Sequence, residues 1–113
     1  MPYIETKTNV KITSDQEKKL KEGFGKAISL LPGKSERWLM LSFAGESAMY
    51  FQGSAEGCAM LEVKIYGRAQ AAHLDSLTGS LTGIVSEVLG VAPERVYIKY
   101  EECANWGWNG SDF

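Results

Sequence analysis

The chain has little of the residues that build metal centres and disulfide frameworks. Among its 113 residues there are two cysteines, Cys58 and Cys103, and a single histidine, His73. Two cysteines outside a Cys-x-x-Cys pair form no disulfide framework, and they indicate a reducing compartment. One histidine without a cluster of cysteines or carboxylates around it in the sequence is a poor basis for a metal site. We therefore expect no metal ion.

An excess of positive charge and long apolar runs are also absent. The formal net charge is −2, so the composition predicts no basic surface for nucleic acid or anionic lipid. No apolar run has the length of a membrane span, and the first residues lack the charged and apolar regions of a signal peptide. We expect a cytoplasmic protein with no membrane insertion, and any secretion to follow a non-classical route.

Two stretches have the apolar period of an α-helix. The first follows the capping candidates Thr13-Ser14-Asp15 and ends at Pro32-Gly33. The second runs over residues 74–89 and ends at Gly90. Gly79 and Gly83 lie inside it, and because glycine weakens a helix, they predict a close approach by another backbone.

Four segments are predicted to be β-strands, namely residues 2–7, 38–43, 58–66 and 96–100. The third alternates apolar and polar side chains, which is typical of a strand with one buried face. The second, residues 38–43, is apolar at nearly every position, which predicts a strand buried on both faces.

The spacing of apolar residues in the first predicted helix recurs in the second. A shift of 57 positions superposes Leu20, Phe24, Ala27, Ile28 and Leu31 on Leu77, Leu81, Ile84, Val85 and Val88. The pattern predicts one α+β domain over residues 1–113, made of pseudo-repeats of about 1–57 and 58–113. Two β-α-β units would form a four-stranded sheet with both helices on one face. The other face would be uncovered, which favours closed association with further copies.

The two ends of the chain are open to more than one interpretation. Pro2 begins an edge strand, or, once Met1 is removed, it presents a free secondary amine whose reference pKa lies near neutrality. The tail, residues 102–113, is aromatic and contains glycine. It is too short and too polar for a core helix, so we expect an arm that pairs with a neighbouring subunit or roofs a pocket.

Several short motifs together resemble the macrophage migration inhibitory factor and D-dopachrome tautomerase family, within the N-terminal-proline tautomerase superfamily. They run in order along essentially the whole chain: Met1-Pro2, Gly33-Lys34, Phe51-Gln-Gly-Ser54, Cys58-Ala59, Pro93-Glu-Arg-Val-Tyr-Ile98 and Gly107-Trp-Asn-Gly-Ser-Asp-Phe113. The resemblance implies a homotrimer with a central channel, catalytic pockets between subunits, and a small aromatic 2-oxo acid such as phenylpyruvate as substrate.

The resemblance also implies roles for individual residues. Pro2 would be the catalytic base, and Lys34 would bind the substrate carboxylate. Tyr66 stands where the family usually has isoleucine, whose backbone N–H contacts that carboxylate. Tyr97 matches a pocket tyrosine that the adjacent subunit contributes. Leu61 replaces the second cysteine of the mammalian Cys-x-x-Cys motif, so we expect no thiol-oxidoreductase activity.

Other residues depart from the family pattern around the pocket. Lys99 replaces an asparagine of mammalian members and would add positive charge near the substrate. The departures at Tyr3, Trp38 and Trp106, together with Phe113, predict an aromatic mouth suited to an aryl side chain, with core packing as the alternative for each. For Trp108 core packing is the expectation.

Two functions are consistent with the resemblance. The first is a cofactor-free keto–enol tautomerase for phenylpyruvate-like 2-oxo acids, with the amine of Pro2 as general base. The second is a cytokine-like protein that binds a cell-surface receptor, its pocket being vestigial or shared with the receptor site. The sequence does not separate them, because a receptor-contact surface is not a short motif.

Overall fold

The computed structural model describes all 113 residues, and its elements alternate as expected for a duplicated unit. Three short 3-10 turns, Ile28–Leu30, Glu36–Trp38 and Pro93–Arg95, lie between the longer elements. The strands and helices are β1 (Pro2–Thr8), α1 (Ser14–Ala27), β2 (Met40–Ala44), β3 (Ala59–Tyr66), α2 (Ala71–Leu89), β4 (Val96–Cys103), β5 (Gly107–Trp108) and β6 (Ser111–Asp112).

The four long strands form one mixed sheet in the order β2-β1-β3-β4. Strand β1 pairs parallel with β2, and β3 pairs parallel with β4, so that each helix connects a parallel pair. The two units meet through the antiparallel pairing of β1 with β3. The predicted α+β class and the four-stranded sheet are thus confirmed. The last two strands form a small hairpin of their own.

Both helices pack on one face of the sheet and bury the stripes seen in the sequence. Positions related by the shift of 57 are equivalent in the core. The fully buried equivalent pairs are Leu20 and Leu77, Phe24 and Leu81, and Ile28 and Val85. The sheet contributes its inward residues to the same cluster: Ile4, Leu61, Val63 and Ile65.

The helix ends follow the local chemistry of the sequence. Thr13 caps α1 by accepting the backbone N–H of Gln16, whose side chain accepts the backbone N–H of Thr13, a complete capping box. Gly90 ends α2 in the left-handed conformation with φ of 72°, which glycine adopts without steric cost.

The expectation for the glycines of α2 is wrong. A Cβ atom at Gly79 or Gly83 would meet no atom within 4 Å, so no backbone approaches them closely. The close contact between the helices lies instead at Gly23 of α1, where a Cβ would come within 3.0 Å of the Ile84 side chain. The sequence places Gly23 between the stripe residues of α1, where its packing role is not visible.

The predicted strand over residues 38–43 is corrected at its start and in its burial. Trp38 belongs to a 3-10 turn, and β2 begins at Met40. Strand β2 is an edge strand, and Met40 exposes 68% of its surface in the single chain. An apolar run at a sheet edge therefore resembled an interior strand, because sequence alone does not reveal which strands have two neighbours.

The sheet face opposite the helices, which the sequence predicts to be uncovered, is mixed in chemistry. Charged side chains lie opposite one another on neighbouring strands of this face: Glu5 of β1 is opposite Glu62 of β3, and Glu62 is opposite Lys99 of β4. Two ion pairs lie on the same face, Lys7 with Glu5 at 3.6 Å and Lys99 with Glu101 at 3.4 Å. Hydrophobic burial of this face alone is therefore a weak reason for association.

Arg95 anchors the long loop between β2 and β3 through hydrogen bonds to its backbone. Its buried guanidinium donates four hydrogen bonds to backbone carbonyls, those of Phe51, Ser54, Glu56 and Gly57, at 2.9–3.1 Å. The same group lies 5.3 Å from the centre of the Phe51 ring. A single fork of N–H donors thus satisfies carbonyls that would otherwise be unpaired in a partly buried turn.

We expect Arg95→Met to destabilise the fold by about 3 kcal/mol, because several buried carbonyls lose a charged donor that methionine cannot replace. Arg95→Lys, which keeps the charge but not the fork, should recover only part of this loss. Urea unfolding at one fixed protein concentration measures both. Equal stability of Arg95→Met and the parent protein would contradict the account of this loop.

Candidate active site

The start of β1 forms the floor of a cavity of about 590 Å³. Pro2 lies at this floor because β1 begins there, and the turn before β2 and the C-terminal hairpin enclose the sides. The lining residues are Met1, Pro2, Tyr3, Arg37, Trp38, Leu39, Met40, Trp106, Gly107 and Trp108. We call this space the main chamber.

A second cavity of about 370 Å³ adjoins it on the other side of the first residue. We call this space the side chamber. Met1, Trp38 and Trp108 line both chambers, so the two form a continuous site with an indole pair between them. The remaining lining residues of the side chamber are Gly33, Tyr66 and Phe113.

Aromatic rings form much of the wall, and four of them contact one another in series. The indole rings of Trp38 and Trp108 meet edge to face with centres 5.1 Å apart. Trp108 stacks parallel to Phe113 at 6.3 Å, and Phe113 lies 5.5 Å from Tyr66. Trp108 is half exposed, so the expectation of core packing for it is wrong. The C-terminal hairpin roofs the cavity, as one of the two interpretations of the tail predicted.

Lys34 lies next to the side chamber, in the connection between α1 and β2. Gly33 adopts φ of 82°, and this left-handed residue lets the chain turn back after Pro32. The Lys34 ammonium donates a hydrogen bond of 2.9 Å to the carbonyl of Tyr66. The lysine is therefore held at the end of β3, next to the start of β1.

Electrostatics around the first residue favour a neutral amine. Burial lowers the pKa of the Met1 amino group below its ordinary value of 8.0, and the nearby charge of Lys34 lowers this pKa further. Since Pro2 begins the same strand, we expect the same two influences to act on its amine once Met1 is removed. They favour the uncharged form, which a general base requires.

The carbonyl of Met1 accepts a hydrogen bond from a backbone donor that the resemblance assigns to the substrate. The Tyr66 backbone N–H donates to the carbonyl of Met1 at 3.0 Å. The resemblance implies that this N–H contacts the substrate carboxylate. A chain that keeps Met1 therefore has the donor already satisfied, and its Pro2 nitrogen is an amide without a basic lone pair.

Tyr3 is fixed on the exposed side of the sheet. Its hydroxyl group shares a hydrogen bond of 2.7 Å with the hydroxyl of Ser42 on β2. The Lys64 ammonium lies 5.9 Å from the centre of the Tyr3 ring. Tyr3 thus forms the part of the main chamber that continues onto the charged sheet face.

Two of the predicted site residues do not meet Pro2 within one chain. Tyr97 lies opposite Met60, whereas Pro2 lies opposite Ile65 at the other end of the sheet. The Tyr97 side chain is 60% exposed and packs against Phe51, with ring centres 4.8 Å apart. Lys99, from the same strand, is likewise distant from Pro2, so both could reach a pocket only in a neighbouring copy.

The sequence analysis missed Arg37. This residue lines the main chamber, and its guanidinium carbon lies 5.2 Å from the centre of the Trp38 ring. Arg37 lies in the 3-10 turn before β2, three positions after Lys34. A cation next to the aromatic Trp38 in this short segment is the signal that could have indicated it.

The structure holds neither a cluster of metal-binding side chains nor a helix able to span a membrane. No group of three or more histidine, cysteine, aspartate or glutamate side chains is arranged to hold a metal ion. Neither of the two α-helices combines the length and the apolar character needed to cross a membrane.

Comparison with known proteins agrees with this fold. The family model described as macrophage migration inhibitory factor (MIF) matches residues 1–113. The chain is 31% identical over 115 residues to the macrophage migration inhibitory factor of Rattus norvegicus, covering 100% of this chain and 99% of that protein. The Meriones unguiculatus protein of the same name is 30% identical, with the same coverage.

Solved structures agree equally well. The crystal structure of Leishmania major MIF2 superposes with a TM-score of 0.94 at 26% identity, covering 100% of this chain and 97% of that one. The homologue from Prochlorococcus marinus superposes with a TM-score of 0.88 at 31% identity, covering 98% of each chain. The family match and the fold place the chain in the tautomerase superfamily. Within it, the chain belongs to the macrophage migration inhibitory factor family.

Proposed function

We propose that this protein is a cofactor-free keto–enol tautomerase for phenylpyruvate-like 2-oxo acids. The free amine of Pro2, exposed by removal of Met1, acts as general base. The observation that carries the proposal is the position of Pro2 at the floor of an aromatic cavity, at an end of β1 where burial and Lys34 lower the pKa of an amine.

The proposed reaction moves one proton. In enolisation, the nitrogen of Pro2 takes a proton from C3 of the 2-oxo acid, and the electrons of that C–H bond form the C2–C3 double bond. The carbonyl oxygen at C2 then receives a proton from the ammonium or from water, and ketonisation reverses these steps. The base needs a pKa near the working pH for this exchange. The burial and the Lys34 charge that lower the pKa of the Met1 amine would act on the Pro2 amine in the same direction.

The remaining site residues orient the substrate in this proposal. Lys34 and the backbone N–H of Tyr66 bind the carboxylate, since a cation and an amide donor together form charge-assisted hydrogen bonds. The aryl ring of the substrate packs against Trp38 and Trp108, which line both chambers. It is bordered by Trp106 in the main chamber and Phe113 in the side chamber. Tyr3 closes the floor beside Pro2.

We also propose a homotrimer, in which a neighbouring copy contributes Tyr97 and Lys99 to each pocket. Both edges of the sheet, β2 and β4, lack a partner in the single chain, and Tyr97 presents an exposed aromatic face at the end remote from Pro2. Association that pairs these edges would complete the pocket and cover the Tyr97 ring. The cytoplasm is the proposed compartment.

The direct test adds purified protein, shown by intact mass to lack Met1, to the enol of phenylpyruvate and follows the loss of enol absorbance. We expect a rate well above that of buffer. A rate equal to buffer with fully processed protein would overturn the proposal.

A second candidate function is favoured by the animal relatives, which are named for a cytokine activity. This candidate is a cytokine-like ligand of a cell-surface receptor, with the pocket either vestigial or shared. Binding to the receptor ectodomain would support it. Loss of binding in Pro2→Gly would show that the receptor contacts the same pocket, whereas unchanged binding would place the contact elsewhere.

A further inference from the structure

The two chambers are cationic although the chain as a whole is acidic. The net charge of the chain is −2, yet neither chamber is lined by an aspartate or a glutamate. Three cations stand around them: Lys34, Arg37 and Lys64. None of the three forms an ion pair, since both ion pairs of the chain lie elsewhere on the sheet. Clefts with charge of one sign attract ligands of the opposite sign.

Two of these cations lie at different ends of the site. Lys34 is bonded to Tyr66 at the side chamber, whereas Arg37 lines the main chamber and not the side chamber. Trp38 and Trp108 line both. A ligand whose aromatic ring lies against the two indoles therefore has Arg37 in the wall of the main chamber and, beyond the side chamber, the ammonium of Lys34 bonded to the lining residue Tyr66.

The state of Arg37 suits recognition of an anion. Its guanidinium carbon lies 5.2 Å from the centre of the Trp38 ring, and its N–H donors form no hydrogen bond or ion pair with the protein. A planar guanidinium binds a carboxylate with two parallel hydrogen bonds, a geometry that lysine does not provide. Lys34 accounts for the first carboxylate of a 2-oxo acid, so Arg37 is free for a second acidic group.

We infer that the substrate is a dianion, an aromatic 2-oxo acid that carries a second acidic group on its ring. The 2-oxo acid carboxylate binds at Lys34, the ring packs against Trp38 and Trp108, and the second group binds Arg37. Arg37 is then the residue that determines specificity. This inference rests on the proposed tautomerase function for the orientation of the substrate.

The test compares the enols of phenylpyruvate and 4-carboxyphenylpyruvate with protein that lacks Met1. We expect kcat/KM to favour the dicarboxylate by about tenfold or more, the usual gain from a charge-assisted hydrogen bond. In Arg37→Gln this ratio should fall to near one. The matched control is Arg68→Gln, an exposed arginine that lines neither chamber, and here the ratio should stay at the parent value.

A binding measurement separates this inference from the reaction itself. Quenching of tryptophan fluorescence gives the Kd values of two inert acids, cinnamate and 4-carboxycinnamate, and we expect the dicarboxylate to bind about tenfold more tightly unless Arg37 is replaced. If the parent protein shows equal kcat/KM and equal Kd within each pair, the dianion inference is overturned while the tautomerase proposal stands. If no enol is turned over but 4-carboxycinnamate binds preferentially through Arg37, the reaction is overturned and the ligand class stands.

Discussion

Protein that keeps Met1 is expected to show no turnover of enol-phenylpyruvate above the rate in buffer. Two causes act together. The Pro2 nitrogen is then an amide that cannot accept a proton, and the Met1 carbonyl accepts the Tyr66 N–H that would bind the substrate carboxylate. General base catalysis contributes about 10²–10⁴-fold, so loss of the base alone should remove most of the rate. Expression with methionine aminopeptidase inhibited provides the sample, and intact mass verifies it.

The same sample contains its own control. Treatment with the aminopeptidase in vitro should release Met1 and restore the full rate without any change of sequence. Pro2→Gly, once processed, keeps a free primary amine but loses the rigid ring, and an intermediate rate is expected. Full activity in the sample that retains Met1 would show that the amine of Pro2 is not the base.

Lys34→Met is expected to lower kcat/KM for phenylpyruvate by about 100-fold, because the substrate carboxylate loses its cation. Methionine keeps a similar apolar stem, so the packing around Gly33 should change little. The control is Lys26→Met in the last turn of α1, an exposed lysine that lines neither chamber. Activity within twofold of the parent for Lys34→Met would contradict the role assigned to this cation.

The same substitution has a signature in the pH profile. Burial and the positive charge of Lys34 lower the pKa of the Met1 amine, and we expect the same for the Pro2 amine that replaces it, so removal of the Lys34 charge should raise that pKa. The base is active when unprotonated, and the acid limb of kcat/KM should therefore move to higher pH in Lys34→Met. A substitution that merely loosened the fold would lower the rate without displacing this limb.

Much of the fold could be predicted from the sequence because it is written in short-range patterns. The helical stripe recurs at a spacing of 57, and the equivalent residues Leu20 and Leu77 are buried alike. The capping signal at Thr13 and the stop at Gly90 also act within a few residues of the chain. Patterns of this kind depend on local geometry, which neighbours in sequence determine.

The errors share one physical cause, the dependence on contacts that are distant in sequence. Whether an apolar segment such as that before Phe43 is central or at an edge depends on how strands pair. The roof made by Trp108 depends on the hairpin folding back over Met1. Arg37 was missed because an exposed arginine in a turn has no pattern of its own, and its position in the cavity follows only from the packing of Trp38.

The most direct test of the central claim is an NMR titration of the Pro2 nitrogen, labelled with ¹⁵N, in protein that lacks Met1. The account predicts one titration of a secondary amine with a pKa below the ordinary value of a terminal amine, coinciding with the acid limb of kcat/KM for phenylpyruvate. A Pro2 nitrogen that titrates at the ordinary value, or a kcat/KM that does not follow its titration, would contradict the account.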